Sequence, residues 1–206
     1  MTEAEILAVF ERAGALIRNS HIIYTSGRHG AAYVNKDGLY PHTDATSRLC
    51  REIAERYRQI DASVVVAPAL GGIILSQWVA HHLSVLTNRE WLAVYAEKQG
   101  EGFAFRRGYD KLIRGKRVIV LEDIITTGIS VKRVVETVRA TGGTVQAVAA
   151  LCNRGGISAA DIGGVPRLDP LFSISLDSWE EQDCPLCREK IPFNQSVGKA
   201  AALGRI

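Results

Sequence analysis

Four short apolar runs constrain this chain more than anything else in it. They are Val64-Val65-Val66-Ala67, Trp91-Leu92-Ala93-Val94-Tyr95-Ala96, Val118-Ile119-Val120-Leu121 and residues 145–151. None alternates apolar with polar residues, so each reads as a strand buried on both faces. Helical stretches separate them. One is expected over residues 73–83 and another over 130–139, where Val131, Val134, Val135 and Val138 recur at i, i+3, i+4 and i+7. Strands alternating with helices imply βαβ units and a mainly parallel sheet flanked by helices, an α/β fold. Ligands in such sheets gather beyond the carboxyl ends of the strands.

Upstream, Ile6, Leu7, Phe10, Ala13, Ala15, Leu16 and Ile17 keep roughly helical spacing, and that helix is expected to end near Asn19. A second helix is expected over 43–57, capped by Thr43 or Asp44. Between them, residues 24–37 read as strand, turn, strand. The whole is expected to be one domain over 1–206. Its α/β core would span 60–160, with a small hood and tail from 1–40 and 170–206.

Composition narrows the classes. The chain has 206 residues, 47% of them hydrophobic, which suits one packed domain and excludes wholesale disorder. No apolar run approaches the roughly 18 residues of a membrane span. The first ten residues carry two glutamates and no basic residue, so no secretory signal is expected. The net charge of +3 is too small for a dedicated nucleic-acid coat. Four cysteines in this length do not make a disulfide framework, and the cytoplasm is the expected compartment.

The third run leads into Glu122-Asp123-Ile124-Ile125-Thr126-Thr127-Gly128-Ile129-Ser130. A helix beginning here would offer unpaired backbone N–H groups to a phosphate. Gly128 allows close approach, and Thr126, Thr127 and Ser130 add hydroxyls. Carboxylates only accept hydrogen bonds, so Glu122 and Asp123 suit ribose hydroxyls or a metal's water shell. A bare Thr-Thr-Gly fits a capped helix equally well. The whole string is more specific. It resembles the phosphoribosyl-diphosphate (PRPP) motif of type I phosphoribosyltransferases, and no Walker A or G-x-G-x-x-G pattern competes with it.

The resemblance covers nearly the whole chain and is greatest to the orotate phosphoribosyltransferase branch. Tyr24-Thr25-Ser26-Gly27-Arg28-His29 is similar to that branch's hood motif. Ala69, Leu70, Gly71 and Gly72 resemble its pyrophosphate loop, and two glycines there could form an anion nest. Ala96-Glu97-Lys98 resembles the start of its catalytic lid. Residues 97–117 hold seven basic residues and three acids, a larger net charge than the whole chain's, and would form a flexible anion trap. Arg154 matches the position that meets the carboxylate of orotate. Three departures stand out: Thr25 replaces a basic residue, Gly71 a lysine and Glu97 an arginine. The lid also lacks the common Lys-x-His pattern. The tail Cys184-Pro185-Leu186-Cys187 resembles a subgroup sharing the Gly-Gly turn and the Ala-Glu-Lys lid start.

The resemblance implies transfer of a phosphoribosyl group from PRPP to orotate. Lys98, Glu122 and Asp123 would be catalytic. PRPP would rest on residues 122–130 and 69–72 with Lys98, Arg106 and Arg107. Orotate would meet Thr126, Arg154, Ser26, Gly27 and Arg28. Mg²⁺ would be held through PRPP or pyrophosphate, with no direct protein ligand. A homodimer sharing the lid across its interface is implied, with no nucleic-acid or membrane partner. The alternatives are another nucleobase as acceptor, or a PRPP- or nucleotide-sensing regulator. Cys184 and Cys187 are two ligands short of a zinc site, and Cys50, Cys152 and the five histidines show no matching local spacing. A structural turn is therefore the expectation there. His81-His82 lies on a helix, facing two ways.

Overall fold

A computed structural model describes residues 1–24 and 26–199. Thr25, one of the departures from the hood motif, lies outside the described residues. The chain forms two compact units. The first comprises Met1–Ile6 and Thr43–Ile174, and the second Leu7–His42 and Ser175–Ile206.

The first unit holds a six-stranded sheet. In chain order its elements are α3 (Thr43–Tyr57), β5 (Val64–Pro68), α4 (Gly71–Thr87), β6 (Leu92–Gln99), β7 (Gly102–Ala104), α5 (Tyr109–Ile113), β8 (Arg117–Ile125), α6 (Ile129–Ala140), β9 (Thr144–Asn153) and β10 (Leu168–Ser173). Strand order is β10-β9-β8-β5-β6-β7. All neighbours run parallel except the β6–β7 hairpin. The mainly parallel α/β sheet expected from the four apolar runs is present.

Each face of the sheet buries apolar residues against helices. Val64, Val66, Val118 and Val120 share a core with Val131, Val134, Val135 and Val138 of α6. Successive side chains on a strand point to opposite faces, so Val65 and Ala67 face the other way. There α4 packs so closely that a Cβ on Gly72 would stand 2.6 Å from the Cβ of Ala67.

The apolar runs marked the strands but not their ends. The third run stops at Leu121, yet β8 continues to Ile125. Glu122 and Asp123 therefore lie inside the strand rather than beyond it. Helix α4 is longer than expected at both ends. The strand β10 escaped the sequence reading because Asp169 and Pro170 interrupt its pattern. A proline is tolerated there because β10 is an edge strand.

The second unit is built from short pieces. They are most of α1 (Glu3–Arg12), β1 (Leu16–Ile17), β2 (Ile22–Ile23), β3 (His29–Gly30), β4 (Tyr33–Val34), α2 (Lys36–Leu39), β11 (Ser178–Trp179) and α7 (Pro185–Arg188). β1 pairs with β4, and β11-β3-β2 form a three-stranded antiparallel sheet. The first helix ends at Arg12, well before Asn19. Gly14 takes φ +65°, and the N–H groups of Gly14 and Ala15 donate to the carbonyls of Glu11 and Phe10 at 3.0 and 2.8 Å. This paired closure terminates a helix, so Leu16 and Ile17 become a strand.

Candidate active site

From β5 the sheet is extended to one side by β6 and to the other by β8. Between β5 and β8 the strand order reverses, which opens a crevice at the carboxyl ends. Two loops expected to hold PRPP leave from these two strands. Val66 pairs with Val120 in register, so two residues further on Glu122 stands level with Pro68, where the 69–72 loop begins.

Glu122 and Asp123 are buried, at 8% and 6% exposure. Their carboxylates accept backbone N–H groups, Glu122 Oε1 from Asp123 at 3.1 Å and Asp123 Oδ1 from Ile124 at 2.7 Å. Among the described residues no buried side-chain nitrogen or oxygen lacks a hydrogen-bond partner. Two carboxylates are thus fixed by the backbone near the carboxyl end of β8. They are oxygen donors without sulfur or imidazole beside them in the strand, which fits a hard cation such as Mg²⁺ or the hydroxyls of a sugar.

The strand then yields to the 126–130 turn. Thr126, Thr127, Ile129 and Ser130 are exposed, whereas Gly128 is buried with φ +75°. A Cβ there would meet methyl carbons of Ile162 and Ile157 at 3.0 and 3.1 Å. Gly128 therefore serves both conformation and space. The first hydrogen bond of α6 runs from the Lys132 N–H to the Gly128 carbonyl at 2.9 Å. The amides ahead of it form the open end of a twelve-residue helix, a natural seat for phosphate.

Sequence reasoning passed over what supports this turn. The N–H groups of Arg154 and Gly155 both donate to the Ile125 carbonyl, at 2.8 and 3.1 Å. A Cβ on Gly155 would lie 1.6 Å from the Thr126 oxygen, so the two loops touch backbone to backbone. Asn153 secures the far side. Its Nδ2 donates to the Ile157 carbonyl at 2.8 Å, and its Oδ1 accepts the Ile157 N–H at 3.1 Å. Arg154 is therefore placed next to the phosphate turn by its own backbone. The sequence signal for Asn153 is its place ahead of Arg154-Gly155-Gly156, since an Asn side chain readily bonds nearby backbone.

The 69–72 loop differs from the expected nest. Gly71 and Gly72 are the first two residues of α4 rather than a turn of alternating hand. Gly72 is required because the helix approaches Ala67. The loop presents the open first turn of a seventeen-residue helix instead. The Ala69 N–H donates to the Ala96 carbonyl at 2.8 Å, tying this loop to the end of β6.

The expected lid over 97–117 is mostly regular structure. Glu97, Lys98 and Gln99 pair with Ala104, Phe103 and Gly102 in a hairpin turned at Gly100, φ +58°. Ile113 of α5 is fully buried, and Arg117 belongs to β8, where it pairs with Asp61 at 2.6 Å. Three of the expected lid's basic residues, Lys98, Arg106 and Arg107, lie on or beside the hairpin. Lys98 is exposed, while Glu97 holds the other two, Arg107 at 3.1 Å and Arg106 at 3.7 Å. The acid that departs from the family pattern thus restrains two lid arginines.

Ser26, Gly27 and Arg28 belong to the second unit. The Tyr24 and Arg28 backbones pair at 2.8 Å around Gly27, φ +88°. The Arg28 guanidinium donates to Ser178 Oγ at 3.0 Å and to its carbonyl at 2.6 Å, and pairs with Glu180. Cys50 and Cys152 are core thiols. Burial raises both, Cys152 to about 12, so neither is a nucleophile at neutral pH.

Comparison with known proteins agrees with this geometry. Residues 40–163 match the phosphoribosyl transferase domain family. Orotate phosphoribosyltransferase of Pelotomaculum thermopropionicum is 40% identical over 192 residues, 93% of this chain and 95% of the relative. That of Chlorobaculum parvum is 34% identical over 207 residues, covering 99% of this chain and all of its own. Among solved structures, Mycobacterium tuberculosis orotate phosphoribosyltransferase in complex with PRPP is 25% identical with a TM-score of 0.63, covering 83% of this chain and 95% of that one. Similarity of this order over nearly the whole chain shows that the chain belongs to the orotate phosphoribosyltransferase family.

Proposed function

We infer that this chain transfers the 5-phosphoribosyl group of PRPP to orotate, giving orotidine 5′-phosphate and pyrophosphate in pyrimidine nucleotide biosynthesis. The observation carrying this reading is the buried Glu122–Asp123 pair running into the 126–130 turn at the switch point of the sheet. The M. tuberculosis relative solved with PRPP supports the donor substrate.

The residue roles follow from charge and hydrogen-bonding capacity. The 5′-phosphate takes the open amides of α6 and the hydroxyls of Thr126, Thr127 and Ser130. Glu122 and Asp123 accept from the ribose hydroxyls. They also stabilise positive charge on the anomeric carbon as its bond to pyrophosphate oxygen breaks. A ring nitrogen of orotate supplies the pair for the new bond and gives up its proton, which the departing pyrophosphate takes. Pyrophosphate, departing with the old one, takes the first turn of α4 and Lys98. Arg154 pairs with the orotate carboxylate, with the 26–28 turn as a further contact. Mg²⁺ carried by the diphosphate supplies neutralisation of its charge. The protein's contribution is chiefly positioning and preorganised charge. We place it in the cytoplasm, since all four cysteines are without disulfides. Among the described residues no helix is long and apolar enough to cross a membrane. A homodimer with the β6–β7 hairpin serving the neighbouring site is part of this proposal.

The test is orotate consumption with PRPP and Mg²⁺, run beside adenine, hypoxanthine and uracil. Turnover of orotate, lost on Arg154→Ala with PRPP affinity retained, is expected. Turnover of another base alone would reassign the acceptor. PRPP binding without any product would make the chain a sensor.

A further inference from the structure

The tail motif Cys184-Pro185-Leu186-Cys187 acquires its missing partners in the second unit. His21, just before β2, and His29 on β3 bring their rings to the two thiols. His21 Nε2 lies 3.1 Å from His29 Nδ1, 3.5 Å from Cys184 Sγ and 3.7 Å from Cys187 Sγ. Cys187 Sγ lies 3.3 Å from His29 Nδ1. All four atoms fall within 4.8 Å of one another.

Hydrogen bonding alone accounts poorly for this cluster. The Ile191 carbonyl, which can only accept, lies 2.7 Å from His21 Nδ1. That nitrogen is therefore the donor, and in the neutral ring Nε2 offers a single lone pair to three close neighbours. One cation at the centre would use all four lone pairs at once. A tetrahedral zinc with Zn–N of about 2.05 Å and Zn–S of about 2.3 Å sets N···N near 3.4 Å and N···S near 3.6 Å. The four separations to His21 Nε2 and His29 Nδ1 given above lie within about 0.3 Å of these, and the other two are under 4.8 Å. Two thiolates balance the 2+ charge, so the filled site is neutral and suits its burial: His21, His29 and Cys184 are all under 4% exposed. The Ile191 carbonyl on the non-ligating nitrogen is the outer contact that orients a metal-binding imidazole. Phe193 covers both rings, with centroids at 4.3 Å from His21 and 5.4 Å from His29.

We propose that His21, His29, Cys184 and Cys187 form a structural zinc site that fastens the C-terminal segment to the β2–β3 hairpin. On binding, Zn²⁺ replaces two thiol protons, which pass to solvent, and no redox change is involved. The unit has reason to need it, since its three-stranded sheet consists of two-residue strands. Small cores of this kind are commonly held by metals or disulfides. The four ligands leave no open position, so the site is structural. His21 and His29 also flank the hydrogen-bonded Tyr24 and Arg28 backbones, and the metal would fix their base.

The full-length chain, purified without a metal-affinity step, is expected to carry about one zinc per chain by mass spectrometry of the metal. Cobalt exchange should give the visible bands of a tetrahedral thiolate site. Chelation should lower the melting temperature and expose two thiols to alkylation, at Cys184 and Cys187, while Cys50 and Cys152 stay protected. His29→Cys should retain zinc, whereas Cys187→Ser should weaken it by at least tenfold. The proposal is overturned by chain without zinc after growth in zinc-supplemented medium, by a Cys184–Cys187 disulfide in the native protein, or by alkylation of both thiols at rates indifferent to the chelator. None of these readouts depends on orotate turnover.

Discussion

At the scale of single residues, the 126–130 turn depends on a neighbouring loop as well as on its own side chains. Gly155 has no room for a methyl group, because the Thr126 oxygen occupies that position. Gly155→Ala must separate the two loops, so it should destabilise the fold by about 1–3 kcal/mol. It should also raise the KM for PRPP more than that for orotate. Thermal melting with steady-state kinetics would read both, and an unchanged PRPP KM would remove the buttress from the mechanism. Asp123→Asn separates charge from shape. The amide oxygen can still accept the Ile124 N–H, so the fold should survive. The lost carboxylate should cut kcat by about 10²-fold, the scale of one preorganised electrostatic contact. Near-normal turnover would show that Asp123 only braces the strand.

At the scale of elements, helices α3 and α4 pack through a titratable contact. Ser47 Oγ lies 3.0 Å from His82 Nε2, and Trp78 stacks on the same ring at 5.7 Å. Burial, then the neighbouring His81, lowers the His82 pKa below its ordinary value of about 6.5. The unfolded chain takes up that proton more readily than the folded one. The stability from the neutral ring is therefore complete above about pH 6.5 and is lost as pH falls through the folded value. His82→Gln should flatten the stability profile between pH 7 and about 5, measured by urea unfolding. A variant profile parallel to the wild type would exclude His82 as its source. The strands β5, β6, β8 and β9 were readable because each contains an apolar run, and α6 because its valines keep helical spacing. Element ends were not, since Gly14 and the register of β8 against β9 decide them. The hairpin within the expected lid was not legible for a related reason. A basic, glycine-bearing stretch resembles a loop until Phe103 and Lys98 are seen to pair.

At the scale of the whole molecule, the proposed sharing of the hairpin between subunits has a direct check. Lys98→Ala and Asp123→Asn chains, each of strongly reduced activity, would be unfolded, mixed and refolded together. If the lysine serves the neighbour, one intact site forms in each mixed dimer, and about a quarter of wild-type activity should return. No recovery would assign Lys98 to its own subunit's site. The sequence by itself determined the class of sheet and the family, and pointed to the 126–130 turn as the proposed PRPP seat, because each rests on residues adjacent in the chain. Periodicity, a two-acid strand end and a glycine before a helix are local properties that survive without knowledge of neighbours. Tertiary structure alone decided which strands lie beside β5, that Gly155 meets Thr126, that Glu97 holds Arg106 and Arg107, and that His21 and His29 meet Cys184 and Cys187. Those two cysteines looked two ligands short because their partners stand more than 150 residues away. A metal geometry of that kind depends on distance in space, and chain spacing carries it only when the ligands are near in sequence.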